Sequence, residues 1–480
     1  MCQTSEPLLT TMATADKNDM KRVNFIMCKG KHFRDIIQLS EEITIFVFKY
    51  KHFMKIVHSA LAIAAAVLFV GCAGTSDENA PLRVLSLGEP VTSNPLGLDH
   101  CKPEESADVL TSLRRIDDTF YYMDYTIDLQ LDSLIDKDLR SMNELNLALH
   151  SILFNEPGKE DFGDINALSC SGFACKNPAG QTLFGRNFDG GAGPLLLTFN
   201  TANGYRFVAS TNPIYNSMKM YYDPEKGGDG VLNNGKTPLY GLLRQPFATT
   251  DGMNEYGLCF GAFQLPTFGE LRGGYDPNPD MLQQETGKKA INFMLMHNYI
   301  LGKCKTIREV EEFLRAHDMV TNSQPLNAHW LMADATGDWA IFEYWQNELY
   351  VYREKDLYDL SNHKRGQQHV QWEWFSIENY YRHPEPYLTF PANQAENPKD
   401  WQLQMTNKLR VEHMMNFYHP IMTEMEALEC LQEGHFGLED YGGVTDWSMV
   451  FNPAERTILF NMRNDISKIY TLDLKKDLGW

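Results

Sequence analysis

The chain has 480 residues, 43% of them hydrophobic, and its 43 Lys and Arg stand against 63 Asp and Glu for a formal charge of -20. That length holds one large domain or two ordinary ones. The acidic balance is spread along the chain with no acidic tail, so it reads as a solvated surface and excludes a nucleic-acid partner, which needs clustered Lys and Arg.

Residues 1–53 show no pattern and are expected to be an upstream extension, with Met54 as the true start. Lys55 then precedes an unbroken apolar run of 11 residues from Ala60 to Val70. This is short of the roughly 20 residues that span a bilayer, but it fits the apolar centre of a signal peptide. The run ends in Val70-Gly71-Cys72, followed by small and acidic residues. It resembles a bacterial lipoprotein signal, with Phe69 where Leu is usual. The resemblance implies a signal peptide over 54–71, a lipid on Cys72 as the membrane link, and a protein exported and anchored to the bacterial cell envelope, in the periplasm or at the surface.

Of nine cysteines, Cys2 and Cys28 leave with the leader and Cys72 takes the lipid. Cys101, Cys170, Cys175, Cys259, Cys304 and Cys430 remain. Their spacing fits no zinc site and assigns no disulfide, and no cofactor or metal is expected.

Residues 73–105 are small, polar and Pro-containing, and read as a tether. Residues 106–156 carry helical and mixed periodicity, including the aromatic run Phe120–Tyr125. Residues 155–164 form an acidic, turn-rich break. Strands follow. Residues 170–175 and 181–187 flank the turn Asn177-Pro178-Ala179-Gly180, and a second hairpin surrounds Asn203-Gly204. A third strand follows the Asn254–Gly257 turn. Helices are expected over 284–301 and 306–319, the second with Thr306 as N-cap and Glu309 three residues on. Strands turn at Thr336-Gly337-Asp338, helices are expected over 406–418 and 422–433, and strands close the chain. Strands alternating with helices in this way suggest an α+β fold of antiparallel sheets with helices packed outside.

A cysteine nucleophile needs a base and an oxyanion stabiliser. No Cys/His signature of the papain or caspase kind is present. The other base available to a cysteine is its own α-amine, with a pKa of about 7.7–8.0 when free, which would require Cys170 to become a chain terminus. The stretch "CSGFACKNPAGQTLFGRNFD" (170–189) resembles the opening of the choloylglycine hydrolase family of N-terminal nucleophile hydrolases, also called linear amide C-N hydrolases. Cys170, not Cys175, has the family's spacing to Arg186 and Asp189. "DGMNEYGLCFGAFQ" (251–264) is similar to a segment ending at an oxyanion residue, usually Asn or Tyr and here Gln264. "HWLMADATGDWAIFEYW" and the stretch that follows resemble a family hairpin leading to a positioning Asn, here Asn362, with Lys364 where Pro is usual. "TNKLR" resembles the segment bearing a catalytic Arg, here Arg410. "TDWSMVFNPAERTILF" resembles the closing strands.

The resemblance, spread over about 170–475, implies a four-layer αββα sandwich over 170–480, preceded by a pro-segment within 72–169. It implies self-cleavage at Ser169–Cys170 and a site of Cys170 as nucleophile, Arg186, Asp189, Gln264, Asn362 and Arg410. The implied reaction is hydrolysis of non-peptide amides, acyl–NH–R, such as conjugated bile salts or fatty N-acyl amides. The alternatives are an acyltransferase of the penicillin-acyltransferase type and a non-catalytic surface-binding lipoprotein. A homo-oligomer is compatible with the sequence. Cys175 and Cys259 read as buried structural residues. Trp372, Trp374, Tyr380 and Tyr381 read as core or as pocket lining.

Overall fold

The structure, a computed structural model, describes residues 81–91, 95–117, 119–156, 169–190, 194–213, 238–265, 282–321, 327–353, 375–378, 421–434 and 444–480. All belong to one compact unit, Asn79–Trp480. It is a mixed α+β fold built on two large sheets. Among the described residues, one sheet has seven strands in the order Leu82–Arg83, Ile469–Asp473, Thr457–Met462, Val444–Asn452, Thr182–Gly190, Ser169–Lys176 and Phe375–Glu378. The other has ten, in the order Glu348–Tyr352, Trp339–Trp345, Asn327–Ala333, Cys259–Leu265, Asp251–Asn254, Phe207–Thr211, Leu195–Asn200, Phe120–Tyr125, Arg114–Asp117 and Glu89–Pro90.

Local chemistry accounts for the hairpins. Ser169–Lys176 and Thr182–Gly190 pair in register from Ser169↔Asp189 to Lys176↔Thr182. Asn177 Oδ1 closes their turn by accepting from the N–H groups of Ala179 and Gln181, and Gly180 supplies a φ of +78°. Leu195–Asn200 and Phe207–Thr211 pair around Asn203-Gly204 as expected. The strands Cys259–Leu265, Asn327–Ala333, Trp339–Trp345 and Glu348–Tyr352 form a meander.

Three expectations are corrected. The sheets are not purely antiparallel. Phe120–Tyr125 runs parallel to Leu195–Asn200, with Phe120 opposite Leu195 and Tyr125 opposite Asn200. Leu82–Arg83 runs parallel to Ile469–Asp473. Both strands come from the stretch before Cys170, so they join strands far along the chain, for which no hairpin direction is imposed. The stretch 73–105, expected as a tether, is packed in part: Val84 is fully buried. The helix expected over 284–301 starts later, at Phe293–Lys303. Ala290–Asn292 is instead a short strand beside Asp318–Val320. Asn292 caps the helix by accepting from the Met294 N–H, and the Thr286 hydroxyl and N–H bind Asp318.

The other helices follow their caps. Ile307–Ala316 has Thr306 accepting from Glu309 N–H, and Glu424–Glu433 carries a full Thr423/Glu426 capping box. Residues 406–418 lie outside the described residues.

The two sheets meet through named contacts. Phe120 of the ten-stranded sheet stacks edge-on against Phe460 and Tyr470 of the seven-stranded one. A Cβ at Gly172 would sit 2.8 Å from the ring of Phe263. On the seven-stranded sheet's other face, Phe173, Cys175, Leu183 and Val450 cluster with Leu428, Cys430 and Leu431 of helix Glu424–Glu433. On the ten-stranded sheet, Phe260 stacks on His297 of helix Phe293–Lys303.

Candidate active site

The hairpin Ser169–Gly190 places Cys170 and Arg186 on one face of the seven-stranded sheet. Successive side chains of a strand alternate faces, so Cys170 shares the face of Gly172, which abuts Phe263 of the facing sheet. Cys170 is fully buried. Arg186, 1% exposed, points one guanidinium nitrogen, Nη2, at Cys170 Sγ over 3.4 Å and donates to the Ala262 carbonyl at 2.5 Å. Its Nη1 forms an ion pair with Asp251. The guanidinium lies 5.0 Å from the ring centre of Phe188 and 5.2 Å from that of Phe263. Gly261 makes this possible: a Cβ there would lie 2.8 Å from Arg186 Cδ and 3.2 Å from Asp251.

Asp189 is buried, pairs in register with Ser169, and accepts a hydrogen bond from the Thr445 hydroxyl. It thus stands beside the Ser169–Cys170 bond, on the strand next to it. The neighbouring strand bulges at Asp446, between Thr445 and Trp447. Burial pushes the Cys170 thiol up to about 11; Arg186 opposes this, while Asp189 and Asp251 add to it. As an internal residue of a closed strand, Cys170 is therefore a protonated thiol at neutral pH.

Gln264 lies near the end of Cys259–Leu265, one residue past Phe263. The pleat turns its Cβ to the face opposite Phe263, while its backbone follows the Ala262 carbonyl that Arg186 touches. Asn362, Arg410, Trp372, Trp374, Tyr380 and Tyr381 lie outside the residues whose side chains are described. Cys175 and Cys259 are buried, in agreement with a structural reading.

Two groups escape the sequence reading. Asp251 opens the quoted "DGMNEYGL" segment, yet nothing local to it signals that an arginine 65 residues earlier will be its counter-ion. His329 and Glu343 form a fully buried pair on adjacent strands, with Nδ1 to Oε2 at 2.9 Å, and the His329 ring meets Phe263 edge-on at 6.1 Å. Their pairing follows from register, which the hairpin turn at Thr336-Gly337-Asp338 sets. Among the described residues no group of His, Cys, Asp and Glu is arranged to hold a metal ion.

A sequence profile described as "Linear amide C-N hydrolases, choloylglycine hydrolase family" matches residues 170–384. This part of the chain belongs to that family. Residues 170–384 are thus those of a linear amide C–N hydrolase family enzyme, and the match begins at Cys170 itself. The landmarks around Arg410 and Thr445–Phe460 fall beyond it. No curated protein matches the chain. Among solved structures, a mutant conjugated bile acid hydrolase from Clostridium perfringens is similar at 16% identity, covering 64% of this chain and 93% of that one, with a TM-score of 0.38. Penicillin V acylase from Agrobacterium tumefaciens is similar at 14% identity, covering 64% and 87%, with a TM-score of 0.36. The Caenorhabditis elegans ortholog of N-acylethanolamine-hydrolyzing acid amidase is similar at 12% identity, covering 64% and 100%, with a TM-score of 0.34.

Proposed function

We propose that this family enzyme hydrolyses small non-peptide acyl amides with Cys170 as its nucleophile, after a self-cleavage that makes Cys170 a chain terminus. The observation that carries this reading is the Arg186–Cys170 contact, 3.4 Å long and closed from solvent, at the first residue of the family match. The charged groups acting on the thiol include Arg186, Asp189 and Asp251. The base is the α-amine freed at Cys170, which titrates at about 7.7–8.0.

Processing proceeds by attack of Cys170 Sγ on the Ser169 carbonyl. The C–N bond breaks, a thioester forms, and the thiol proton passes to the released amine. Water then hydrolyses the thioester, leaving a Ser169 carboxylate and a free thiol. In turnover the amine takes the thiol proton, and the thiolate, favoured by Arg186, adds to the substrate carbonyl. The amine returns the proton to the departing nitrogen, and water releases the acid from the acyl-enzyme. Asp189 orients the amine. The main chain at Gln264, whose side chain faces away from Cys170, and Asn362 hold the oxyanion, where losing one donor typically costs about 2.7–4 kcal/mol in barrier. Arg410 completes the polar cluster. The cross-sheet contacts and the helices packed on each sheet support a four-layer αββα arrangement for 170–480.

Leu82–Arg83 pairs in one sheet and Phe120–Tyr125 in the other, so the pro-segment remains as a second chain after cleavage and a lipid on Cys72 would keep the enzyme at the cell envelope. The test is a Cys170→Ala variant, expected to stay full length and inactive against tauro- and glyco-conjugates, acylethanolamides and penicillin V. Amide hydrolysis surviving in that variant rules the reading out.

A further inference from the structure

Asp251 begins a strand of the ten-stranded sheet, while Arg186 and Cys170 belong to the seven-stranded one. Its carboxylate is fully buried and is held from several sides. Oδ1 takes Arg186 Nη1. Oδ2 accepts from Ser210 Oγ at 2.9 Å, Thr250 Oγ1 at 3.0 Å and Trp447 Nε1 at 3.2 Å. These donors come from a neighbouring strand, from the residue before Asp251, and from the opposite sheet. Arg186 touches two further polar partners, Cys170 Sγ and the Ala262 carbonyl, and two ring faces.

We propose that Asp251 is a positioning residue for the nucleophile: its carboxylate, pinned from both sheets, holds the Arg186 guanidinium so that the second nitrogen is aimed at Cys170 Sγ. This rests on the reading of Cys170 as the nucleophile. Asp251 acts on the thiolate in two opposite ways. Its own negative charge disfavours the thiolate, and its hold on Arg186 favours it. Arg186 has the larger effect on the thiol and Asp251 the smaller. If neutralising Asp251 lets the guanidinium swing away, the larger effect is lost and the thiol titrates higher. If the guanidinium stays, only the small repulsion is removed and the thiol titrates lower. The sign of the shift therefore separates a positioning residue from a plain counter-charge.

The experiment is the pH dependence of Cys170 alkylation by iodoacetamide in processed wild type and Asp251→Asn, read by mass, together with kcat and KM on an acyl amide that wild type cleaves. Positioning predicts a thiol titration raised by about one unit and kcat down by at least about tenfold, with KM within about twofold, since ten in rate follows one unit of differential charge stabilisation. An unchanged or lowered titration with kcat retained overturns the proposal. A buried arginine robbed of its partner is costly, so a second variant keeps the test decisive if Asp251→Asn does not fold. Ser210→Ala with Trp447→Phe retains the Asp251 charge and the Phe188–Trp447 ring stack but removes two of the carboxylate's donors. It should shift the thiol in the same direction by a smaller amount; no shift in titration or kcat overturns the proposal. Activity surviving in Cys170→Ala would sink the nucleophile assignment instead, a different result from a lowered titration in Asp251→Asn.

Discussion

Phe120 tests whether the segment before Cys170 is a working part of the processed enzyme. It is fully buried, lies opposite Leu195 in the parallel ladder, and meets the rings of Phe460 at 5.2 Å and Tyr470 at 5.4 Å, both edge-on. It therefore ties the pro-segment to both large sheets at once. Phe120→Ala removes a core aromatic, a change that costs about 3–5 kcal/mol where the site cannot collapse, and these two sheets leave it little room to do so. For a unit the size of Asn79–Trp480 that corresponds to a fall in Tm of roughly 4–6 °C. Thermal unfolding by calorimetry and gel filtration of the processed protein in rising urea, with both chains followed by mass, read the effect. Wild type should run as a two-chain particle in plain buffer, and the variant should release the smaller chain at lower urea. Leu147→Ala, at a residue 44% exposed, serves as control and should change stability by no more than about 0.5 kcal/mol. A wild-type protein that sheds its smaller chain in plain buffer, or a Phe120→Ala midpoint equal to wild type, refutes the reasoning.

Acid should loosen the same seam. Burial raises the Asp117 carboxyl, but bonds from the Thr119 hydroxyl and N–H, the Tyr470 hydroxyl and the nearby Lys468 together hold it below the ordinary carboxylate range. Its stabilising contribution is present above the unfolded value of about 3.9 and is lost as pH falls through the lower folded value. Urea midpoints taken between pH 5 and 2 should therefore show a decline in wild type that is smaller in Asp117→Asn, and equal declines would argue against it. His297 gives a second window. Burial lowers its pKa to about 3, and Trp330 Nε1–H donates to its Nε2. The unfolded chain takes up that proton near pH 6.5 while the folded one refuses it, so stability falls as pH drops from about 6.5 toward 3. A His297→Gln variant should have a flatter profile over that range, and a wild-type profile already flat there would contradict the assignment.

What was readable in the sequence was whatever a few neighbouring residues determine. Asn177 and Gly180 fix one hairpin, Thr306 and Thr423 start their helices, and the spacing from Cys170 to Arg186 follows from a two-strand register once that turn is set. What was not readable depends on residues far apart. Nothing in Phe120–Tyr125 says that it will lie parallel to Leu195–Asn200, because every residue but Asp124 is buried and the aromatic run fits a sheet interior in either direction. The delayed start of helix Phe293–Lys303 has the same origin: Thr286 and Ala290–Asn292 are claimed by Asp318 and its strand, a tertiary demand that overrides helical periodicity. Asp251 was visible inside a family segment, but its chemistry is that of a partner on the other sheet.

The central claim is that Cys170 becomes the first residue of the catalytic chain. Intact mass and N-terminal sequencing of the purified protein test it most directly. The account predicts a large chain beginning Cys170-Ser171-Gly172 and a separate smaller chain ending at Ser169, with both absent from Cys170→Ala. An active protein whose Ser169–Cys170 bond is intact would contradict it.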